Sequence, residues 1–176
     1  SLSVILSLLF ESTPILLAKL VPELAELLAH PSFEATRSYH DTIEASLRQI
    51  QTWSPCECAL FISGHPWIGE QGVLSALSQA EWVTKVTSQE VLKRLNVLNA
   101  LYDQTFPGLQ YITFVNGCSP QDIIPEIEST LELPIDPSQP SAVTIHKMGS
   151  LEWMDQLACV IRAVGLIAHS RVTALE

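Results

Sequence analysis

Apolar residues along the chain recur mostly at three- and four-residue intervals, the period of a helix with one buried face, and only once in the alternation of a strand. Ser3 to Phe10 predicts a short apolar helix. Ser12-Thr13-Pro14 reads as a cap with proline at the first helical position, opening a second helix. Its stripe of Ile15, Leu16, Leu20, Leu24, Leu27 and Leu28 is broken or kinked near Pro22 and ends at His30-Pro31. Ser32 is the next predicted N-cap. It opens an amphipathic segment from Phe33 to Trp53, with Phe33, Tyr39, Ile43, Leu47 and Ile50 facing a core, that stops before Ser54-Pro55. A short apolar run from Pro55 to Ile62 delivers the chain into a turn at Gly64-His65-Pro66.

Val73 to Val86 predicts a helix, and Thr87-Ser88-Gln89-Glu90 a capping box with Thr87 and Glu90 as partners. In the helix that follows, Val91, Leu95, Leu98, Leu101 and Tyr102 share the buried face, Asn96 and Asn99 lie off it, and Phe106-Pro107-Gly108 ends it. Tyr111 to Val115 is the one β-like run, closed by the tight-turn pair Asn116-Gly117; a lone strand cannot make a sheet, so an extended buried connection is expected. Ser119-Pro120 caps a helix from about Gln121 to Leu131, with Pro125 near its first turns. Leu133 to Pro140 carries three prolines and reads as a loop. A last long helix, from Ser141 or Ser150 to Thr173, has Leu151, Met154, Leu157, Val160, Ile161, Val164, Ile167 and Ala168 as its buried stripe. The pattern predicts an all-α protein, a single compact multi-helix domain over 1–176.

Composition agrees with a packed chain: 176 residues, 47% hydrophobic and 16% charged, which excludes disorder and leaves enough apolar surface for one core and a subunit contact. The net charge of −10 argues against nucleic acid or an anionic membrane as partner. The apolar run Val4 to Phe10 is too short to span a bilayer and lacks the charged stem and cleavage site of a secretion signal, so an intracellular protein is expected. Cys56, Cys58, Cys118 and Cys159 have neither zinc nor redox spacing and are expected as small buried thiols; no metal site is expected.

The candidate chemistry lies in Gly64-His65-Pro66-Trp67-Ile68-Gly69 and in Ser78-Gln79-Ala80-Glu81. Pro66 disfavours the α region for His65 and so presents the imidazole from a constrained turn. Ser78 and Glu81, three apart on a helix, share a face from which they could meet the imidazole or a ligand. The alternative is a plain helix-to-helix turn with Glu81 as a solvated charge. His30, His40, His146 and His169, at helix ends, on helices or near a loop, read as structural, as do Asn99 and Tyr102.

These residues, together with Asn99-x-x-Tyr102-x-x-x-Phe106-Pro107-Gly108-Leu109 and Phe114-Val115-Asn116-Gly117, resemble the 2-oxo-4-hydroxy-4-carboxy-5-ureidoimidazoline decarboxylases, particularly their fungal branch. Leu8-Leu9-Phe10-Glu11 and Ile167-Ala168-x-x-Arg171 also fit. The resemblance covers most of the chain, with the motifs in order. It implies an all-α fold, often a homodimer, with no metal or organic cofactor. The implied activity removes carbon dioxide from a small cyclic ureidoimidazoline in urate breakdown, yielding allantoin, in the cytoplasm or the peroxisome. The family's catalytic pair maps onto His65 and Glu81, and its substrate contacts onto Ser78, Pro66 and the positions of Trp67 and Trp82.

The departures fall on the substrate clamp. Trp67 stands where the family usually has Arg, Trp82 where it has Gln, and Gly72 where it often has Lys. Cys118 and Pro120 stand at the arginines of an Asn-Gly-Arg-x-Arg pattern, and Ser129 and Thr130 where a further Arg-Arg pair is expected. Each charge-assisted bond lost to a carboxylated substrate is worth about 1.5–3 kcal/mol. Three readings follow: a decarboxylase whose substrate is held by Arg162 or Arg171 instead; an acid–base enzyme repurposed for cyclisation, isomerisation or decarboxylation of a less anionic substrate; or a non-catalytic binding protein.

Overall fold

The computed structural model describes residues 1–30, 38–70, 87–115, 117–134 and 144–175. Among them every regular element is helical. They are α1 (Leu2–Phe10), α2 (Val21–Ala29), α3 (Tyr39–Ile50), α4 (Pro55–Ile62), α5 (Gln89–Thr105), α6 (Pro120–Thr130) and α7 (Leu151–Leu175). The expected all-α class holds, and Tyr111 to Val115 forms no strand, with Tyr111 and Ile112 buried. The chain packs as two compact units, one of residues 1–65 with 157–176, the other of residues 66–156.

In the first unit, Thr13 caps the second helix as expected, its Oγ1 accepting from the Leu16 amide at 3.2 Å. The break near Pro22 takes the form of a π-helical turn, Leu16–Leu20, directly before α2. Proline has no N–H to donate and its ring crowds the carbonyl four residues back, so the widened turn takes up the misfit. Leu16, Leu20 and Leu24 are fully buried, and α1, α2 and α3 pack around them. The N-cap of α3 is Ser38, in a reciprocal box with Asp41, rather than Ser32, which with Phe33 lies outside the described residues. Tyr39, expected in the core, is exposed because it occupies the first turn of that later start, while Ile43 and Ile50 are buried. The apolar run at Pro55 is helix α4. Ser54 and Glu57 form its capping box, and Lys19 pairs with the same Glu57 carboxylate. Burial pushes the Cys58 thiol up to about 11, whereas Cys56, Cys118 and Cys159 are exposed rather than buried.

In the second unit, α5 is capped by Ser88, whose Oγ accepts from the Val91 amide, one residue later than the predicted Thr87. Leu95, Leu98 and Tyr102 are buried, and so, against expectation, is Asn99. Tyr102 packs against Phe106 and Tyr111, with ring centroids 5.1 and 5.2 Å away. The Tyr111 hydroxyl donates to Glu126 of α6 at 2.7 Å. Gly69 and Gly108 adopt positive φ, 83° and 82°, where a side chain would be strained.

Helix α7 contributes its first six residues to the second unit and the rest to the first. Residues Leu151–Ala174 are long and apolar enough, by length and composition, to cross a membrane, with 44% of the window buried inside the chain. Its stripe is set differently from the prediction: Leu151 and Met154 are exposed and Trp153 is fully buried, its Nε1 donating to the Pro107 carbonyl at 3.0 Å. Burying the indole fixes the start of the stripe, which continues through Leu157, Val160, Val164 and Ala168 to Val172.

Candidate active site

His65 belongs to the first unit and is 5% exposed. Helix α4 ends at Ile62 with Ser63 as its C-cap, the His65 amide closes a turn onto the Ile62 carbonyl at 3.0 Å, and the ring meets Phe61 edge-on with centroids 6.2 Å apart. Gly64 is required by its neighbour: a Cβ there would lie 2.2 Å from Thr13 Cγ2. Gly64→Ala is therefore expected to cost about 1–3 kcal/mol in urea unfolding. Thr13→Ser, which deletes the colliding methyl and keeps the capping hydroxyl, should recover most of that loss. A Gly64→Ala cost unchanged in the Thr13→Ser background would show that the turn is not packed this way.

Behind the turn lies a buried ion pair. Arg171 of α7, 3% exposed, donates through Nη2 to Glu11 Oε1 at 2.7 Å and through Nη1 to the carbonyls of Leu9 and Leu8 at 3.2 and 3.3 Å. The guanidinium thus satisfies carbonyls at the end of α1, where the helix dipole also favours a cation. Glu11 itself holds φ 61° and ψ 150°, a region that costs a non-glycine residue about 1–3 kcal/mol. Contacts bought elsewhere by the fold must hold it there, and the Arg171 pair is one of them. Of the two arginines considered as replacement substrate cations, Arg171 is thus committed to Glu11 and to α1, and Arg162 is exposed on α7.

Burial, reinforced by the positive charge of Arg171, lowers the His65 imidazole from its ordinary value to about 4, against the opposing pull of Glu11 and the Ile62 carbonyl. The ring is neutral at physiological pH, a base and neutral hydrogen-bonding group rather than an imidazolium acid. The sign of the linkage follows. Between pH 6.5 and about 4 the unfolded state takes up a proton that the folded state refuses, so His65 contributes stability that is fully present above 6.5 and lost as pH falls towards 4. Urea unfolding at pH 7 and pH 4.5 should show wild type losing up to about 3 kcal/mol more than His65→Gln. Equal losses would contradict the neutral, buried ring.

Pro66 and Trp67 are half-buried residues of the second unit. The turn they open is closed by Trp67 N donating to Glu70 Oε2 and by Glu70 N donating to the Trp67 carbonyl, both at 3.0 Å. Asn99 Nδ2 donates to the Ile68 carbonyl at 3.0 Å, so this buried amide anchors the same turn. No local sequence signal marks that contact, which joins positions 31 residues apart. Ser78, Glu81 and Trp82 lie outside the described residues. Among the described residues no group of three or more His, Cys, Asp or Glu side chains could hold a metal ion.

The sequence model of the family described as OHCU decarboxylase matches residues 3–153, most of the chain and both halves of the His65 turn. The chain belongs to the OHCU decarboxylase family, a family of lyases acting in purine catabolism. No curated protein and no solved structure matches it.

Proposed function

We propose that the chain is a cofactor-independent decarboxylase acting on a small cyclic substrate, with His65 and Glu81 as its acid–base pair. The reference reaction is ureidoimidazoline decarboxylation to allantoin. The observation that carries the reading is a neutral, 5% exposed imidazole in the His-Pro turn of a decarboxylase family member. Decarboxylation breaks the bond to the carboxylate carbon, releases carbon dioxide and leaves an electron pair that passes into the ring, where a carbon must then take a proton. A neutral imidazole can accept a proton from a substrate O–H or N–H and return it to that carbon, ending as it began. Glu81 would fix the ring's tautomer, and Ser78, Pro66, Trp67 and Trp82 would hold the substrate.

One observation favours a second reading within the same site. Arg171 is engaged by Glu11, and Trp67 stands at a cationic position of the family, so a less anionic, more aromatic substrate suits this chain better than the carboxylated one. Carbon dioxide release from freshly generated ureidoimidazoline separates the two. Acceleration over the spontaneous rate, lost in Glu81→Gln, supports the first reading. No acceleration by folded wild type, with neutral aromatic compounds protecting it against heat, supports the second. Acceleration retained in Glu81→Gln would remove the pair.

A further inference from the structure

Two histidines outside the His65 site meet where α7 crosses α3 within the first unit. His40 Nδ1 and His169 Nδ1 are 2.6 Å apart, and His169 Nε2 lies 2.9 Å from Glu44 Oε1. The ring planes differ by 17° and the centroids are 4.9 Å apart. That separation equals the nitrogen–nitrogen distance plus the two ring radii, so the rings are nearly coplanar and head-on, with each Nδ1 aimed at the other. Imidazoles that chelate a metal instead converge on a point off the line between them. The geometry is that of one N–H shared between two nitrogens.

The protons can be assigned from the network. A carboxylate only accepts, so His169 Nε2 carries a hydrogen and points it at Glu44, which leaves His169 Nδ1 as the acceptor and His40 Nδ1 as the donor. A first added proton goes to His40 Nε2 and leaves the shared bond intact, now charge-assisted. A second has only His169 Nδ1 to occupy. It would set two N–H groups head-on and two cations side by side, with one carboxylate between them.

Among the described charged groups of α3 and of the elements packed on it, Glu44 is the one in contact with the pair. Asp41 is held by the Ser38 cap, Lys19 and Glu23 by Glu57 and Trp53, and Arg171 by Glu11. Arg48 and Arg162 are exposed on their helices. We propose that His40 and His169 form a proton-sharing clamp, oriented by Glu44, that holds the end of α7 on α3 and opens on acidification when the second proton arrives. His169 stands two residues before Arg171, so the helix end is held by α3 through the clamp and by α1 through the arginine. Release of the clamp therefore loosens the turn that carries Arg171. The proposal does not depend on what His65 does.

Nitrogen-15 histidine labelling of the full chain tests it. A scalar coupling between the two Nδ1 nuclei, with one strongly deshielded proton between them, is expected near neutral pH and should vanish in His40→Gln and in His169→Gln. Acidification carried to the point where the coupling disappears should raise amide exchange over residues 168–173 about tenfold in the same step, whereas in His40→Gln that exchange is already raised and changes little with pH. Absence of the coupling in folded wild type overturns the proposal. So does an equimolar zinc addition that removes the deshielded proton and raises the melting temperature, because the nitrogens would then be metal ligands. Neither readout uses decarboxylase activity, so failure of the His65 reading leaves this test intact.

Discussion

Replacing Arg171 by Met is expected to destabilise the chain by about 3–5 kcal/mol, read as a lowered urea midpoint with an unchanged slope. The side chain is 3% exposed, and its loss leaves the Glu11 carboxylate, 9% exposed, without the cation 2.7 Å away. The carbonyls of Leu8 and Leu9 lose their donor at the same time. Most of the cost is that of a buried carboxylate losing its Arg171 ion pair, so a second substitution should recover part of it. Arg171→Met combined with Glu11→Gln is expected to be more stable than Arg171→Met alone by about 1–3 kcal/mol, since the buried group is then neutral. Strict additivity of the two substitutions would contradict the pairing. If the substrate instead drew on Arg171, the single variant would lose binding before it lost stability.

His65→Gln is the second large effect, and it falls on the reaction. Gln retains much of the ring's volume against Phe61 and so keeps the turn filled, whereas His65→Ala would open a cavity and mix packing loss with chemistry. Carbon dioxide release under saturating substrate should fall by about 10²–10⁴-fold, the range a positioned acid–base group supplies. Circular dichroism and melting should show a folded chain. Turnover kept within threefold of wild type would make His65 a turn residue only, and the functional assignment would have to move elsewhere in the site.

Much of the helical plan was legible because local chemistry dictates it. Thr13, Ser119 and Ser150 accept or close the first turns they precede, and Phe106-Pro107-Gly108 ends α5 with Gly108 at positive φ. The cap that was misplaced, Thr87 for Ser88, sits in a run where two adjacent hydroxyl residues compete for one role. The Ser54–Glu57 box carried a readable signal, a serine followed by proline and by a glutamate three residues on. What local pattern could not supply was pairing across the chain. Glu11 and Arg171 are 160 residues apart and His40 and His169 are 129 apart. Glu11 and Arg171 each close a stretch that fits the family, but nothing local to either pairs one with the other, and nothing local pairs His40 with His169. Asn99 looked like an off-face polar residue because helical period alone cannot show that a neighbouring carbonyl needs a donor.

The candidate site divides in the same way. The family motif around His65 located the turn, and the structure adds what the motif does not contain: burial deep enough to keep the ring neutral and an ion pair packed behind it. That neutrality is the physical content of the functional claim.

The pH dependence of kcat/KM for carbon dioxide release, in wild type beside His65→Gln, tests it most directly. With a neutral His65 as the working base, the rate should hold through pH 6.5 and fall only as pH approaches about 4, with no acceleration by His65→Gln at any pH. A limb near pH 6.5 that disappears in His65→Gln would show an exposed, ordinary imidazole and contradict the account, as would a folded wild type that does not accelerate the reaction.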